Sequence, residues 1–98
     1  MLTSKQRAAL RAMANGLQPI MQVGKGGIGE NLIKTVSDAL EANELIKMKV
    51  LENSAESARS AAEELANATE SEVVCVVGTK FVLYKQSSKE KNRKILLD

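Results

Sequence analysis

The sequence predicts an α/β domain: a two-layer sandwich in which helices flank a four-stranded mixed sheet, in the order α-β-α-β-α-β-β. Three observations carry this. Three stretches repeat apolar residues at helical spacing. Four short runs between and after them are rich in β-branched residues or alternate in polarity. The first three strands are separated by helices, which requires crossovers and a parallel element, whereas the last two are joined by a tight turn and read as a hairpin.

Each element has its own signal. Thr3 and Gln6 have the spacing of a capping box, and Ala8 to Ala14 continue as a helix. Asn15-Gly16 predicts a left-handed stop. After Pro19, Ile20-Met21-Gln22-Val23 reads as a strand, and Gly24-Lys25-Gly26-Gly27-Ile28-Gly29 must be a loop, with four glycines in six residues. Leu32, Ile33, Val36, Ala39 and Leu40 define a second helix that Asn43 closes. Leu45 to Leu51 is a strand with Ile46, Met48 and Val50 on one face and Lys47 and Lys49 on the other. Asn53-Ser54 with Glu56 reads as a helix start, leading into an alanine-rich amphipathic helix through Ala55, Ala58, Ala62, Leu65 and Ala66. Glu72 to Val77 and Phe81 to Lys85 are strands around Gly78-Thr79-Lys80. From Gln86 the chain is a polar, basic tail ending in Ile95-Leu96-Leu97, which reads as a short docked strand or a frayed end.

Composition narrows the function. Ninety-eight residues fit one domain, residues 1–98, with a modest core. The chain has no histidine, so His-based acid–base chemistry, His-ligated zinc and His-dependent nucleophiles are excluded. One cysteine, Cys75, excludes an internal disulfide framework and a thiolate-rich metal site, and reads as a buried small hydrophobe. No run is long and apolar enough to span a membrane. These features predict a cytoplasmic binding domain with no enzymatic activity, cofactor, metal or small-molecule substrate, and a monomer.

The net charge of +2 conceals a division along the chain. Residues 1–29 carry Lys5, Arg7, Arg11 and Lys25 without an acid, and residues 73–98 carry six cations against Glu90 and Asp98. Residues 52–72 carry six glutamates against Arg59. If folding gathers the basic ends, one face suits a polyanion and the acidic middle repels it. Without that gathering, these are ordinary solvated charges.

The glycine run admits several readings. A P-loop fails, because Pro19 and Gly26 stand where it needs a glycine and a hydroxyl. Gly24, Gly26 and Gly29 match G-x-G-x-x-G, with Glu52 downstream, but a dinucleotide site needs a six-stranded doubly wound sheet. Gly24-Lys25-Gly26-Gly27 fits G-x-x-G, a bare turn through which backbone N–H groups and a helix start can meet a phosphodiester chain. The bland alternative is a turn without a ligand.

At this point the sequence resembles the CRM (chloroplast RNA splicing and ribosome maturation) domain in its stand-alone bacterial, YhbY-like form. The resemblance covers residues 2–85 and rests on Thr3-Ser4-Lys5-Gln6, Leu17-Gln18-Pro19-Ile20, Val23-Gly24-Lys25-Gly26-Gly27-Ile28, Asn43-Glu44-Leu45-Ile46-Lys47-Met48-Lys49 and Gly78-Thr79-Lys80-Phe81-Val82-Leu83-Tyr84-Lys85. It implies a fold similar to the C-terminal domain of translation initiation factor three. It also implies RNA binding and association with ribosomal RNA in large-subunit precursors, as an assembly factor. The implied loop is Gly24, Lys25, Gly26 and Gly27, with Lys47, Lys49, Lys80 and Lys85 as neighbouring phosphate contacts. Arg7 and Arg11 join if the first helix packs nearby. Two positions depart from the family pattern: Gly29 stands for the usual Ser or Thr, and Lys85 where arginine is common.

Of the two aromatics, Phe81 is expected in the core and Tyr84 on the opposite face as a stacking candidate. Met13, Met21 and Met48 are expected as core filler. A competing function is a protein-interaction module, in which the acidic helix 55–68 docks a basic ribosomal protein.

Overall fold

A computed structural model of the chain describes residues 2–93 and residue 95. Helix α1 spans Ser4–Ala14, strand β1 Met21–Val23, helix α2 Glu30–Asn43, strand β2 Leu45–Val50, helix α3 Ala58–Thr69, strand β3 Glu72–Val77 and strand β4 Lys80–Tyr84. The sheet order is β1-β2-β4-β3, with β1 and β2 parallel and both pairs made by β4 antiparallel. This is the mixed four-stranded sheet expected from the sequence. The C-terminal ends of β1, β2 and β3 and the start of β4 therefore lie at one end of it.

The helices divide between the two sheet faces. On one, Val36 and Leu40 of α2 and Ala61, Ala62 and Leu65 of α3 pack on Ile46, Met48, Phe81 and Leu83. The alanines let α3 approach the sheet closely, and Phe81 is buried as expected. On the other face Leu10 and Ala14 of α1 cover Leu45, Val74, Val82 and Tyr84. A third, one-helix layer is thus added to the expected two, because β2 buries Leu45 as well as the Ile46 side. Met48 is fully buried and Met21 partly so, but Met13 is 43% exposed at the rim of α1, contrary to the expectation of core filler.

Local chemistry sets most boundaries. The capping box forms as predicted: the Gln6 N–H donates to Thr3 Oγ1 at 3.1 Å and the Thr3 N–H to Gln6 Oε1 at 3.0 Å. The predicted left-handed stop at Asn15-Gly16 does not form, since Asn15 is right-handed at φ −57°. Lys47 Nζ instead reaches across from β2 to the carbonyls of Ala14 and Leu17, at 3.4 Å each, and does the capping that such a stop would do. Helix α3 starts at the Ser57 cap, later than expected; the Ser54 hydroxyl only accepts from the Glu56 N–H, a local turn. Residues at positive φ end the other two helices, Glu44 (φ 65°) after α2 and the left-handed Glu70 (φ 57°) after α3.

Strand β3 carries a bulge. Val73 pairs with Leu83 and Cys75 with Val82, leaving Val74 as the extra residue. Alternation is interrupted there, so Val74 and Cys75 both pack on the α1 side.

The polar segment after β4 is docked on the end of α2. Glu41 accepts from the Ser88 hydroxyl at 2.6 Å and the Ser88 N–H at 3.1 Å, which holds its carboxyl below the ordinary carboxylate pKa. The fully buried Glu44 carboxylate accepts from the N–H groups of Ser87 (2.9 Å) and Ile95 (3.2 Å). Glu90–Asn92 form one 3-10 turn. Of the expected terminal strand, Ile95 is half-buried on the α1 side and not in a strand, and Leu96 and Leu97 lie outside the described residues.

Candidate functional site

The glycine run forms a turn closed by the Gly27 N–H donating to the Gly24 carbonyl at 3.0 Å. Lys25 and Gly26 occupy its exposed corner. Gly27 sits at φ +70°, the conformation that demands glycine. A Cβ at Gly26 or Gly29 would meet nothing within 4 Å, so those two positions are open to side chains. Gly29 caps α2 with its backbone only. The first N–H groups of α2 thus end at the loop without a side-chain capping oxygen and carry the helix's partial positive charge, with Glu30 in the same turn.

The sheet brings further cations to this end. Lys49 pairs across the ladder with Gln22 of β1 and with Lys80 of β4. Directly opposed Cα atoms lie about 5 Å apart, so the Lys49 and Lys80 side chains leave the same face side by side. Backbone bonds from the Val50 N–H to the Thr79 carbonyl (2.7 Å) and from the Leu51 N–H to the Val23 carbonyl (2.9 Å) tie the hairpin turn and the root of the glycine loop to the end of β2.

On the same sheet face a cleft of about 240 Å³ opens between the C-terminal half of α1 and the sheet. Arg11, Lys47 and Lys80 line it together with Asn15, and no carboxylate does. Among the described residues, the ion pair within 4 Å is Arg59 with Glu63 on α3, so no described carboxylate pairs with these cations. The exposed glutamates Glu63 and Glu64 sit on α3, across the sheet from the cleft.

Three residues expected at the site are elsewhere. Lys85 follows the far end of β4, roughly 17 Å of strand from Lys80, and its ammonium donates to the Thr69 carbonyl at 3.1 Å, closing the end of α3. Lys89, Lys91 and Arg93 follow Lys85 toward the α2 terminus, so among the described cations of the C-terminal basic group Lys80 alone reaches the loop end of the sheet. Arg7 lies in a shallow groove along β3 with Arg59, Glu63 and Glu72, where carboxylates offset its charge. Tyr84 is on the α1 face as expected, but it is 8% exposed beneath α1 and offers no ring for stacking. Burial, with a smaller push from Glu44 against the pull of Arg93, raises its phenol above the ordinary pKa of 10.0.

Sequence reasoning missed Asn15 and Cys75 as cleft residues. Asn15 reads as a helix stop, and Cys75 reaches the cleft only because of the bulge, which has no signature in its β-branched run. No group of three or more metal-ligating side chains occurs among the described residues, and no helix among them is long and apolar enough to cross a membrane.

Fold and site together define a class of small α/β domains in which a glycine turn joins the first strand to the second helix, at the end of the sheet where a cleft is lined by cations and no carboxylate. The chain belongs to the CRS1 / YhbY (CRM) domain family, whose sequence profile matches residues 2–85. It is 48% identical over 91 residues to the probable RNA-binding protein YqeI of Bacillus subtilis, covering 93% of this chain and 95% of that one. It is 30% identical over 90 residues to an RNA-binding protein of Haemophilus influenzae, covering 92% and 91% of the two chains. The solution structure of a hypothetical Staphylococcus aureus protein, described as an RNA-binding candidate, superposes with a TM-score of 0.78 at 46% identity, covering 98% of this chain and all of that one.

Proposed function

We propose that this chain binds RNA, and in particular ribosomal RNA in precursors of the large subunit, as a cytoplasmic, monomeric assembly factor. The Gly24–Gly27 turn grips the phosphodiester backbone: Lys25 supplies a mobile cation, and the uncapped N–H groups of α2 supply fixed dipoles. Lys49, Lys80, Lys47 and Arg11 continue the track. The observation that carries the reading is the gathering of Arg11, Lys47 and Lys80 around one cleft that no carboxylate lines, with Lys49 beside Lys80 on the same sheet face, on a chain whose relatives are named RNA-binding proteins. With Phe81 and Tyr84 both buried, base readout by aromatic stacking is unavailable, and RNA shape and charge dominate recognition. The role is binding, with no reaction assigned.

The double substitution Lys25→Glu, Gly26→Asp tests it, since Gly26 is not left-handed and a side chain there meets open space. Crosslinking in cells, followed by mapping of the attached nucleotides, should place the native chain on large-subunit ribosomal RNA. The variant, with its melting temperature preserved, should lose those sites. Crosslinks that persist in the variant would remove the loop from the interface, and crosslinks spread over unrelated transcripts would remove the ribosomal assignment.

A further inference from the structure

The cleft beside α1 differs from the rest of the cationic surface because it has depth and an apolar floor. Ala14, Cys75 and Val82 form that floor, Val77 stands at its mouth, and Arg11, Lys47, Lys80 and Asn15 form its rim. Its origin is local. The bulge at Val74 turns Cys75 toward α1, and the two side chains that meet there, Ala14 and Cys75, are too small to fill the space between helix and sheet. Val77, at the end of edge strand β3, is left 63% exposed at the mouth.

We propose that this cleft receives one unstacked nucleobase of the bound RNA, a role that rests on the RNA-binding reading of the neighbouring surface. The composition fits a base better than other anions. A free phosphate has no use for four apolar side chains, and an apolar peptide has none for three cations. A base has apolar faces, a polar edge and a phosphate on either side. The Asn15 side-chain amide, with no hydrogen-bond partner among the described residues, lines the rim and can both donate to and accept from that edge. The Arg11 guanidinium plane can stack on the ring in place of the absent exposed aromatics. Lys80 and the remaining N–H of the Lys47 ammonium then meet the flanking phosphates. At about 240 Å³ the cleft is smaller than the roughly 300 Å³ at which drug-sized sites begin, so it holds one base and no more. Paired, stacked bases cannot enter, which makes this pocket a selector for unpaired RNA.

The test compares unpaired and duplex RNA on the full chain. Cys75→Leu fills the floor without changing charge, and should weaken binding of a single-stranded oligonucleotide about tenfold, the scale on which one base contact contributes. Affinity for a perfect duplex of the same length should not change. In a nuclear magnetic resonance titration of the native chain, adenosine 5′-monophosphate should shift the amides of Asn15, Cys75 and Val77, and inorganic phosphate at equal concentration should not. This titration decides the matter alone if Cys75→Leu fails to fold. Identical shifts from both probes, or a Cys75→Leu variant that loses single-strand and duplex binding equally or not at all, would overturn the pocket. Lys25→Glu and Lys80→Ala, run in parallel, separate the two readings. If they weaken both RNAs and Cys75→Leu weakens neither, the cationic track stands and the pocket falls; if none of the three matters, both fall.

Discussion

Neutralising Lys80 and Lys85 separately should give opposite results, although the two lysines flank the same strand. Lys80 is exposed, opposes Lys49 across the ladder and lines the cleft, whereas Lys85 is half-buried and its ammonium closes α3 at Thr69. Five cations form the proposed track: Arg11, Lys25, Lys47, Lys49 and Lys80. With roughly 0.7–0.9 counterions released per phosphate contact, the slope of log affinity against log salt is about −3.5 to −4.5. Raising salt from 50 to 200 mM then weakens binding by roughly 130- to 500-fold. Lys80→Ala removes one contact, bringing the slope to about −2.8 to −3.6 and the salt effect to roughly 50- to 150-fold. As an exposed surface change it should alter stability by no more than about 0.5 kcal/mol. Lys85→Ala should leave the slope untouched but lower the melting temperature, because the Thr69 carbonyl loses its donor. Fluorescence anisotropy of a labelled single-stranded RNA over a salt series reads the slopes, and thermal melts read the stabilities. Equal slope changes in the two variants, or a native slope shallower than about −1, would refute the assignment of cations to the two ends of β4.

Two further outcomes follow from backbone and burial. Gly27→Ala places a Cβ at φ +70° and should cost about 1–2 kcal/mol; Gly29→Ser gives α2 the side-chain cap it lacks and should stabilise by a few tenths of a kcal/mol, both measured by denaturant unfolding. Tyr84 is the only tyrosine, and the chain has no tryptophan, so ultraviolet absorbance follows its ionisation directly. The native phenol should titrate above 10.0 and the unfolded one near it. Since the unfolded state gives up that proton first, this contribution to stability is complete below pH 10 and is lost as pH rises through the native pKa. A native titration at or below the unfolded one would contradict the burial of the ring.

Much of the fold is legible because it is written in local chemistry. Thr3 and Gln6 specify a helix start between them, and the alternation of Ile46, Met48 and Val50 with Lys47 and Lys49 fixes which side of β2 meets α2 and α3. Gly78 marks a hairpin by its need for positive φ, 59° here. Signals of the same kind mislead when a distant group satisfies the backbone. The end of α1 needs no left-handed residue at Asn15-Gly16, because Lys47, thirty-three residues beyond Ala14, supplies the donor. The tail reads as polar and basic with only its apolar end left to dock or fray, yet two carboxylates at the α2 terminus hold its polar part by backbone N–H groups.

By itself the sequence determined the elements, their order, the mixed sheet and the exposed glycine turn, since propensity, capping and periodicity act over a few residues. Which cations stand together was decided by the tertiary structure alone. Strand direction and register set Lys49 against Lys80 and send Lys85 to the other end, and the path of α1 carries Arg11 over the cleft while Arg7 lines a different groove, shared with Glu63 and Glu72. The bulge that opens the cleft has the same origin: it exists only in the pairing of β3 with β4, and no run of residues encodes a pairing that depends on both partners.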